Sequence, residues 1–482
     1  MPVILRDYQE LMVTETRAAF RDNDAVLLQL PTGGGKTITS GHIIGSAAEK
    51  GNRGMFICNR IELLSQTAKT FDALGIRYGL IAPGYRYNPH VLVHIASIDT
   101  LKGRILKENI LPPKLAVWDE CRSCGAAGWA RVFAWMREKK ARQLGLDATP
   151  IRHDGKPLSE FFGHLVHGPS YGELMERGAL VPFDCYAPSR PDLSGVKMRG
   201  HDYDPDAVAE AMDKPSITGD IVANYVRHAR GLKALVFAVS RQHSEHLAAE
   251  FRAAGVNAVH LDGMTDAGVR ARAIAAYERD EIEVICNVDL FTAGLDVPGI
   301  RVIIDGAPTK SVAKFLQRCG RGSRPAPGKD RCVYFDHAGN IFLHGLPDED
   351  RTWNLEGRPK GAKKSDVAAI NIRQCPSCYG VHAPASACKH CGHVYEIESR
   401  EVDHVAGELK KITKEEADAI RKAKAREVKK AQTRPELERI ASERGYSDAW
   451  VDAQLIHKDR TREKWKSSQA QSQFDSYMGW KR

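Results

Sequence analysis

No run of about eighteen uncharged apolar residues occurs in the 482-residue chain, which argues against a membrane-spanning helix. The opening MPVILRDYQE lacks a basic segment followed by a long apolar one, so no secretory signal is expected there. No solenoid period recurs, and no attached nuclease or methylase motif is visible. Nor is the composition extreme. With 43% hydrophobic and 27% charged residues, the chain suits a globular protein with room for two or three domains. The net charge of +9 favours a polyanionic partner, although solubility would account for it equally.

Short apolar runs and amphipathic stretches alternate from the start to about residue 180. The runs at 25–30 (AVLLQL), 54–58 (GMFIC), 91–95 (VLVHI) and 114–118 (KLAVW) have strand length, and helix-like ITSGHIIGSAAEK and IELLSQTAKTFDAL lie between them. That order predicts a parallel sheet covered by helices. A passage rich in Pro, Gly and Asp (CYAPSRPDLSGVKMRGHDYDPD) reads as an irregular crossing, after which ALVFAV, EVICN, RVIID and RCVYF resume the alternation. Beyond residue 345 the pattern ends in a basic linker, GRPKGAKKSD, a cluster of cysteines and a strand-free, charged, helix-like tail.

Residues 117–124, VWDECRSC, pose a choice. Cys121 and Cys124 form a C-x-x-C pair suited to metal or redox chemistry. Asp119 and Glu120, closing an apolar run, suit instead the magnesium-holding and water-polarising acids of a nucleotide hydrolase. PTGGGKT (31–37), between a strand and a helix, favours the second reading. Gly33, Gly34 and Gly35 let backbone N–H groups turn inward around a phosphate, Lys36 would reach the β- and γ-phosphates, and Thr37 would ligand Mg²⁺. Leu30 stands where the usual phosphate-loop pattern has its first glycine. An acid at the C-terminal end of a second strand completes such a site, and Asp119 and Glu120 supply it. The C-x-x-C spacing is then coincidental.

The ordered motifs resemble a superfamily-two helicase of DEAD/DEAH type. The resemblance implies two RecA-like parallel-sheet lobes in tandem that sandwich ATP. It implies that LRDYQ (5–9) reads adenine, with Gln9 on the base edge and Arg6 or Tyr8 nearby, and that PTGGGKT, including Pro31 and Thr32, holds the phosphates. CNRIELLSQ and ASIDTL look like nucleic-acid contacts through Arg60, Ser97 and Thr100, and LVFAVSRQHSEHLA contributes Ser240 and Arg241. Thr149 of DATP (147–150) would link ATP state to lobe movement. Gly294 and Asp296 of NVDLFTAGLDVP would lie near the ribose. In QRCGRGSR, Gln317 belongs to the catalytic set, and Arg321 and Arg324 are the implied arginine fingers. Two departures stand out: Arg122 where the motif ends in His or Asp, and Asp147 where the family has Ser or Thr. MERGALVP, GRGSRPAPGKDRCVYFDHAGN and HGLPDEDRTWNLEG are similar to RadD-like and phage or prophage helicases. The implied protein is cytoplasmic, in a bacterial or phage-infected cell, and acts on DNA, single-stranded or branched, in replication, repair or recombination. An RNA helicase and a restriction-type ATPase switch are the alternatives.

Of eleven cysteines, seven are scattered, some in strand-like runs such as FIC and VIC, as small buried residues of a reducing compartment would be. The other four, Cys375, Cys378, Cys388 and Cys391, form C-x2-C-x9-C-x2-C, the pattern of a closed structural Zn²⁺ site, with His382, His390 and His393 as possible substitutes for one thiolate. The expected domains are 1–182 (first lobe), 183–345 (second lobe), 346–372 (linker), 373–397 (zinc module) and 398–482 (helical tail). Within the tail, ELERIASERGYSDAWVDAQLIHK predicts a helical hairpin around Leu437, Ile440, Trp450, Val451 and Leu455.

Overall fold

The computed structural model describes residues 4–59, 61–152, 154–187, 193, 195–200, 202–212, 215–292, 297–357, 372–395, 426–428, 430–431, 433–444, 450–452 and 454–455. One compact unit runs to residue 396, and a second begins at 397. The first unit opens with β1 (Ala25–Gln29), β2 (Gly54–Cys58), β3 (Tyr78–Ile81), β4 (Val93–Ser97), β5 (Leu115–Asp119), β6 (Arg142–Asp147) and β7 (His164–His167). These pair in parallel in the order β3-β4-β2-β5-β6-β1-β7. Strands β1, β2, β4 and β5 are buried along their whole length, which is why they read as continuous apolar runs. Leu27, Ile57 and Trp118 pack with Val132 and Phe133 in one core, while Val26, Phe56 and Val117 pack with Ile44 and Phe71 in another. Parallel pairing requires crossovers, and helices Lys36–Glu49, Ile61–Ala73, Ile98–Lys107 and Ala127–Glu138 lie between successive strands. As a result the phosphate loop, Asp119, Ser97 and DATP all follow or close strands at one edge of the sheet.

The second lobe is built from β8 (Phe183–Tyr186), a two-stranded ribbon of β9 (Met198–Arg199) and β10 (Asp202–Tyr203), then β11 (Ala234–Phe237), β12 (Ala258–Leu261), β13 (Val284–Asn287), β14 (Val302–Asp305) and β15 (Cys332–Asp336). β16 (Arg373–Gln374) and β17 (Gly380–His382) complete an eight-stranded sheet in the order β12-β13-β11-β14-β15-β8-β17-β16. β8 enters the passage expected to be an irregular crossing. Its inward Phe183 and Cys185 alternate with half-buried Asp184 and Tyr186, over too few residues for the period to stand out in the sequence.

Two further segments differ from the expected layout. The cysteine-bearing hairpin is an extension of the second sheet, because β17 pairs antiparallel with β8. Gln374 Nε2 donates to Ala187 O (2.6 Å), and the His390 ring packs 4.9 Å from that of Tyr186. The stretch from 346, expected to be a linker, instead turns back onto the first lobe. Leu158 and Ser159 donate their N–H groups to Leu355 O (2.7 and 3.1 Å), Gly172 N donates to Asp350 Oδ1 (2.9 Å), and Leu355 packs against the core that holds Trp118. Residues 358–371 of the expected linker lie outside the described residues.

In the second unit, helix Arg434–Arg444 buries Leu437, Ile440 and Ala441, with Val451 buried in the same cluster and Trp450 and Leu455 half-buried beside it. Leu437, Ile440, Trp450, Val451 and Leu455 are the residues expected to form a helical core, and Ala441 joins them. Most of KKITKEEADAIRKAKAREVKK lies outside the described residues. Among the described residues no helix is long and apolar enough to cross a membrane.

Candidate active site

The phosphate loop leaves β1 at Gln29 and enters the helix at Lys36. Gly33 and Gly35 adopt left-handed φ angles of 91° and 92°, which glycine accommodates without strain. A side chain at Gly35 would also collide with Gln9 Nε2. Leu30 is fully buried, and a Cβ at Gly34 would lie 2.8 Å from its Cγ, so the leucine that replaces the first pattern glycine packs against the loop. Lys36 Nζ donates to Leu30 O (3.1 Å), and burial lowers its pKa against the pull of Glu120 and Asp119. The LRDYQ segment lies on this loop. The Tyr8 hydroxyl donates to Gly34 O (3.0 Å), and buried Gln9 accepts the Arg6 N–H at Oε1 (2.9 Å), while the Arg6 side chain stays exposed.

Asp119 ends β5, and Glu120 follows with φ 56° and ψ 48°, a left-handed conformation uncommon for a glutamate. Burial, and then the charge of Glu120, push the Asp119 carboxyl up to about 7. Burial acts on Glu120 in the same direction, but Arg122, Lys36 and Arg321 together hold it below the usual carboxylate range. Buried Asp119, with half-buried Thr37 in the first turn of the loop's helix, offers hard-oxygen donors that fit a divalent cation such as Mg²⁺, and half-buried Glu120 follows Asp119 directly.

Helix Val312–Cys319 of the second lobe and the turn after it complete the site from the other side. Gln317 lines the same cleft as Glu120, and the charge of buried Arg321 helps hold that carboxyl below its usual range. Ser323 Oγ donates to Thr32 O (3.5 Å), and a Cβ at Gly33 would lie 3.2 Å from Ser323 Oγ and 3.6 Å from Arg324 Cγ. Two residues without an assigned part in the sequence reading brace this turn. Lys329 Nζ donates to Gly322 O and Arg324 O (2.7 Å each), and burial pulls its pKa down to about 8. Arg318 is buried on Asp305 (2.9 Å), which anchors the helix. Neither contact has a sequence signal, since Lys329 stands in a glycine–proline loop and Asp305 is on another strand.

Of the remaining candidates, Ser97 closes β4 and is buried, and Thr100 is half-buried. Ser240 accepts the His243 N–H (3.1 Å) as the cap of helix Arg241–Ala253, and exposed Arg241 lies beside Glu245 (2.9 Å) and Asp262 (3.4 Å). Arg60, Gly294 and Asp296 lie outside the described residues. A cleft next to Glu120 is lined from both lobes by side chains of both signs, with Arg152, Arg199, Lys310 and Lys314 beside Asp202 and Asp289; Arg152 is paired with Asp154 and Glu160, and Lys314 with Asp289 (2.6 Å).

Cys121 and Cys124 are fully buried in the core with Trp118, where burial pushes both thiols well up, so neither has the exposed, acidic character of a reactive pair. The Sγ atoms of Cys375, Cys378, Cys388 and Cys391 all lie within 4.8 Å of one another, with Cys375–Cys391 and Cys378–Cys388 both at 3.7 Å. Sulfurs held at about 2.3 Å around a tetrahedral ion lie about 3.8 Å apart, so the set is compatible with zinc. His382 is engaged with Tyr395 (2.9 Å) and Ala383 O (2.6 Å), His390 lies against Tyr186 and the His393 ring against Tyr395, and the ligand atoms gathered together are the four thiols.

Two families match the chain: "Type III restriction enzyme, res subunit" over residues 2–152, and "Helicase conserved C-terminal domain" over residues 214–326. A "51.5 kDa protein" of a Lactococcus phage is 31% identical over 393 residues, covering 81% of this chain and 82% of that one. "Putative ATP-dependent helicase IRC3" of Saccharomyces cerevisiae is 26% identical over 70% of the chain, which spans about half (52%) of that relative. Among solved structures, a fragment of a putative HsdR subunit of a type I restriction enzyme from Vibrio vulnificus shares the fold at TM-score 0.57 and 19% identity, over 74% of this chain and 67% of that one. The Type ISP restriction-modification enzyme LlaBIII, solved bound to DNA, matches at TM-score 0.54 and 17% identity, over 69% of this chain and 28% of that one.

Proposed function

The chain belongs to the superfamily-two helicases of DEAD/DEAH type, as a nucleic-acid-dependent ATPase, and we propose that it couples ATP hydrolysis to movement on DNA. The observation that carries this reading is the meeting of the lobes at the phosphate loop, where Ser323 Oγ lies 3.5 Å from Thr32 O and Gln317 lines one cleft with Glu120. In the proposed reaction, Glu120 polarises a water for in-line attack on the γ-phosphate. The loop N–H groups and Lys36 hold the phosphates, and Arg321 and Arg324 meet the charge that develops on the transferring group. Thr37 and Asp119 would hold Mg²⁺, which supplies positive charge to the phosphate oxygens. Because the reacting groups sit on two lobes, each turnover closes and reopens the seam, and exposed Arg199 and Lys310 in the cleft beside Glu120 are the cations offered to a nucleic-acid backbone.

DNA is favoured over RNA by the kind of protein this chain resembles, including restriction subunits and an enzyme solved on DNA. ATP turnover is to be compared on single-stranded DNA, duplex, forks and RNA. The largest stimulation is expected from single-stranded or forked DNA, and stimulation by RNA alone would overturn the assignment. A second reading, translocation without strand separation, is favoured by the restriction-subunit match over residues 2–152. It predicts displacement of a bound third strand with no unwinding of a fork.

Zinc is proposed for the four-cysteine set as a structural ion. One zinc per chain is expected by elemental analysis. Replacing Cys375 with Ser is expected to lose it and to lower the melting temperature, because the hairpin it ties continues the second sheet through β17. Retention of a full equivalent of zinc by that variant would contradict the assignment.

A further inference from the structure

The two departures from the helicase pattern, Arg122 in DECR and Asp147 in DATP, are each other's partners. Arg122 is 7% exposed and Asp147 fully buried. One guanidinium nitrogen of Arg122 hydrogen-bonds Asp147 Oδ1 (2.6 Å) and Thr149 Oγ1 (3.3 Å), and another is ion-paired with Glu120 Oε2 without a directed hydrogen bond. Asp147 also accepts the Arg122 N–H (3.0 Å) and the Thr149 N–H (2.9 Å), so both of its oxygens are engaged. Gln317 of the second lobe lines the same cleft as Glu120. The only side chain joining Asp147, Thr149 and Glu120 in these contacts is therefore Arg122.

We propose that Arg122 and Asp147 are a single exchanged unit, in which the Arg122 guanidinium is the positioning group that holds Glu120 toward the attacking water and ties it to Thr149. The proposal deepens the ATPase reading and rests on it. Its physical content lies in the fork. A planar guanidinium can bind two carboxylates at fixed angles, whereas an ammonium is a point charge on a flexible stem. Glu120 in a left-handed backbone needs such a fixed partner, because its strained main chain does not alone set the direction of its side chain. The same geometry explains why both departures occur together. A His at 122 would leave Asp147 buried without its cation, and a Thr at 147 would leave half of the Arg122 fork without an anion.

The test is ATP turnover on saturating single-stranded DNA by wild type, Arg122→Lys, Arg122→His, Asp147→Thr and the double variant Arg122→His/Asp147→Thr, with thermal unfolding measured in parallel. Arg122→Lys keeps the charge but not the fork. Its melting temperature and KM for ATP are expected to stay near wild type, while kcat falls by about ten- to a hundred-fold, as for a catalytic group displaced by a fraction of an ångström to an ångström. Wild-type kcat in Arg122→Lys would reduce the residue to a structural counter-ion and overturn the proposal. Should that variant fail to fold, the double variant decides. It is expected to turn over faster than either single variant, and losses that simply add would overturn the proposal. Absence of turnover by the wild-type chain would overturn the ATPase reading and this proposal with it, whereas turnover by wild type and Arg122→Lys alike overturns this proposal alone.

Discussion

Replacing Glu120 with Gln is expected to leave ATP bound and to lower kcat by about three orders of magnitude, in the middle of the range for loss of a positioned general base. That loss corresponds to about 4 kcal/mol of transition-state stabilisation. The substitution keeps the shape of the side chain in the cleft it shares with Gln317, so ground-state binding of ATP has no reason to change. What disappears is the negative charge that Arg122, Lys36 and Arg321 hold in place against burial. Stability is expected to change little, since Arg122 retains Asp147 and one fewer half-buried charge is left to balance. The measurement is single-turnover hydrolysis beside binding of a fluorescent ATP analogue. A kcat within a few-fold of wild type would remove Glu120 from the proposed chemistry.

The second large effect is expected at Arg321. Arginine fingers contribute about 10³- to 10⁵-fold to phosphoryl transfer, and Arg321→Ala is expected to lose kcat within that range with the KM for ATP nearly unchanged. Arg321 is buried and acts on Glu120 from the second lobe, and the phosphate loop belongs to the first. Its loss therefore tests the division of the site between lobes as well as the residue. Arg321→Lys is not expected to restore the rate, because an ammonium lacks the planar fork. A large rise in KM at unchanged kcat would instead mark Arg321 as a ground-state binding group.

Much of this site is legible in the sequence because of how parallel sheets are built. Strands buried on both faces produce the unbroken runs AVLLQ, GMFIC and LAVWD, and the chemistry-bearing loops follow their C-terminal ends. The motifs can thus be placed before any side-chain contact is known. What could not be read depends on contacts between distant segments. Arg122 and Asp147 stand 25 residues apart and meet because β5 and β6 are neighbours, with Asp119 opposite Leu146. The return of Leu355 to the first lobe combines backbone hydrogen bonds from Leu158 and Ser159 with the packing of one leucine on a core formed far away in sequence, and neither leaves a local pattern. The docking of β17 on β8 joins a three-residue strand to a four-residue one, too short for a period to register.

The account as a whole is tested most directly by steady-state ATP turnover of the full chain, with and without single-stranded DNA, alongside Lys36→Ala. Turnover that rises about ten-fold or more on DNA and vanishes when Lys36 no longer reaches the phosphates is the predicted result. Turnover that ignores every nucleic acid offered, or that survives Lys36→Ala, would contradict it.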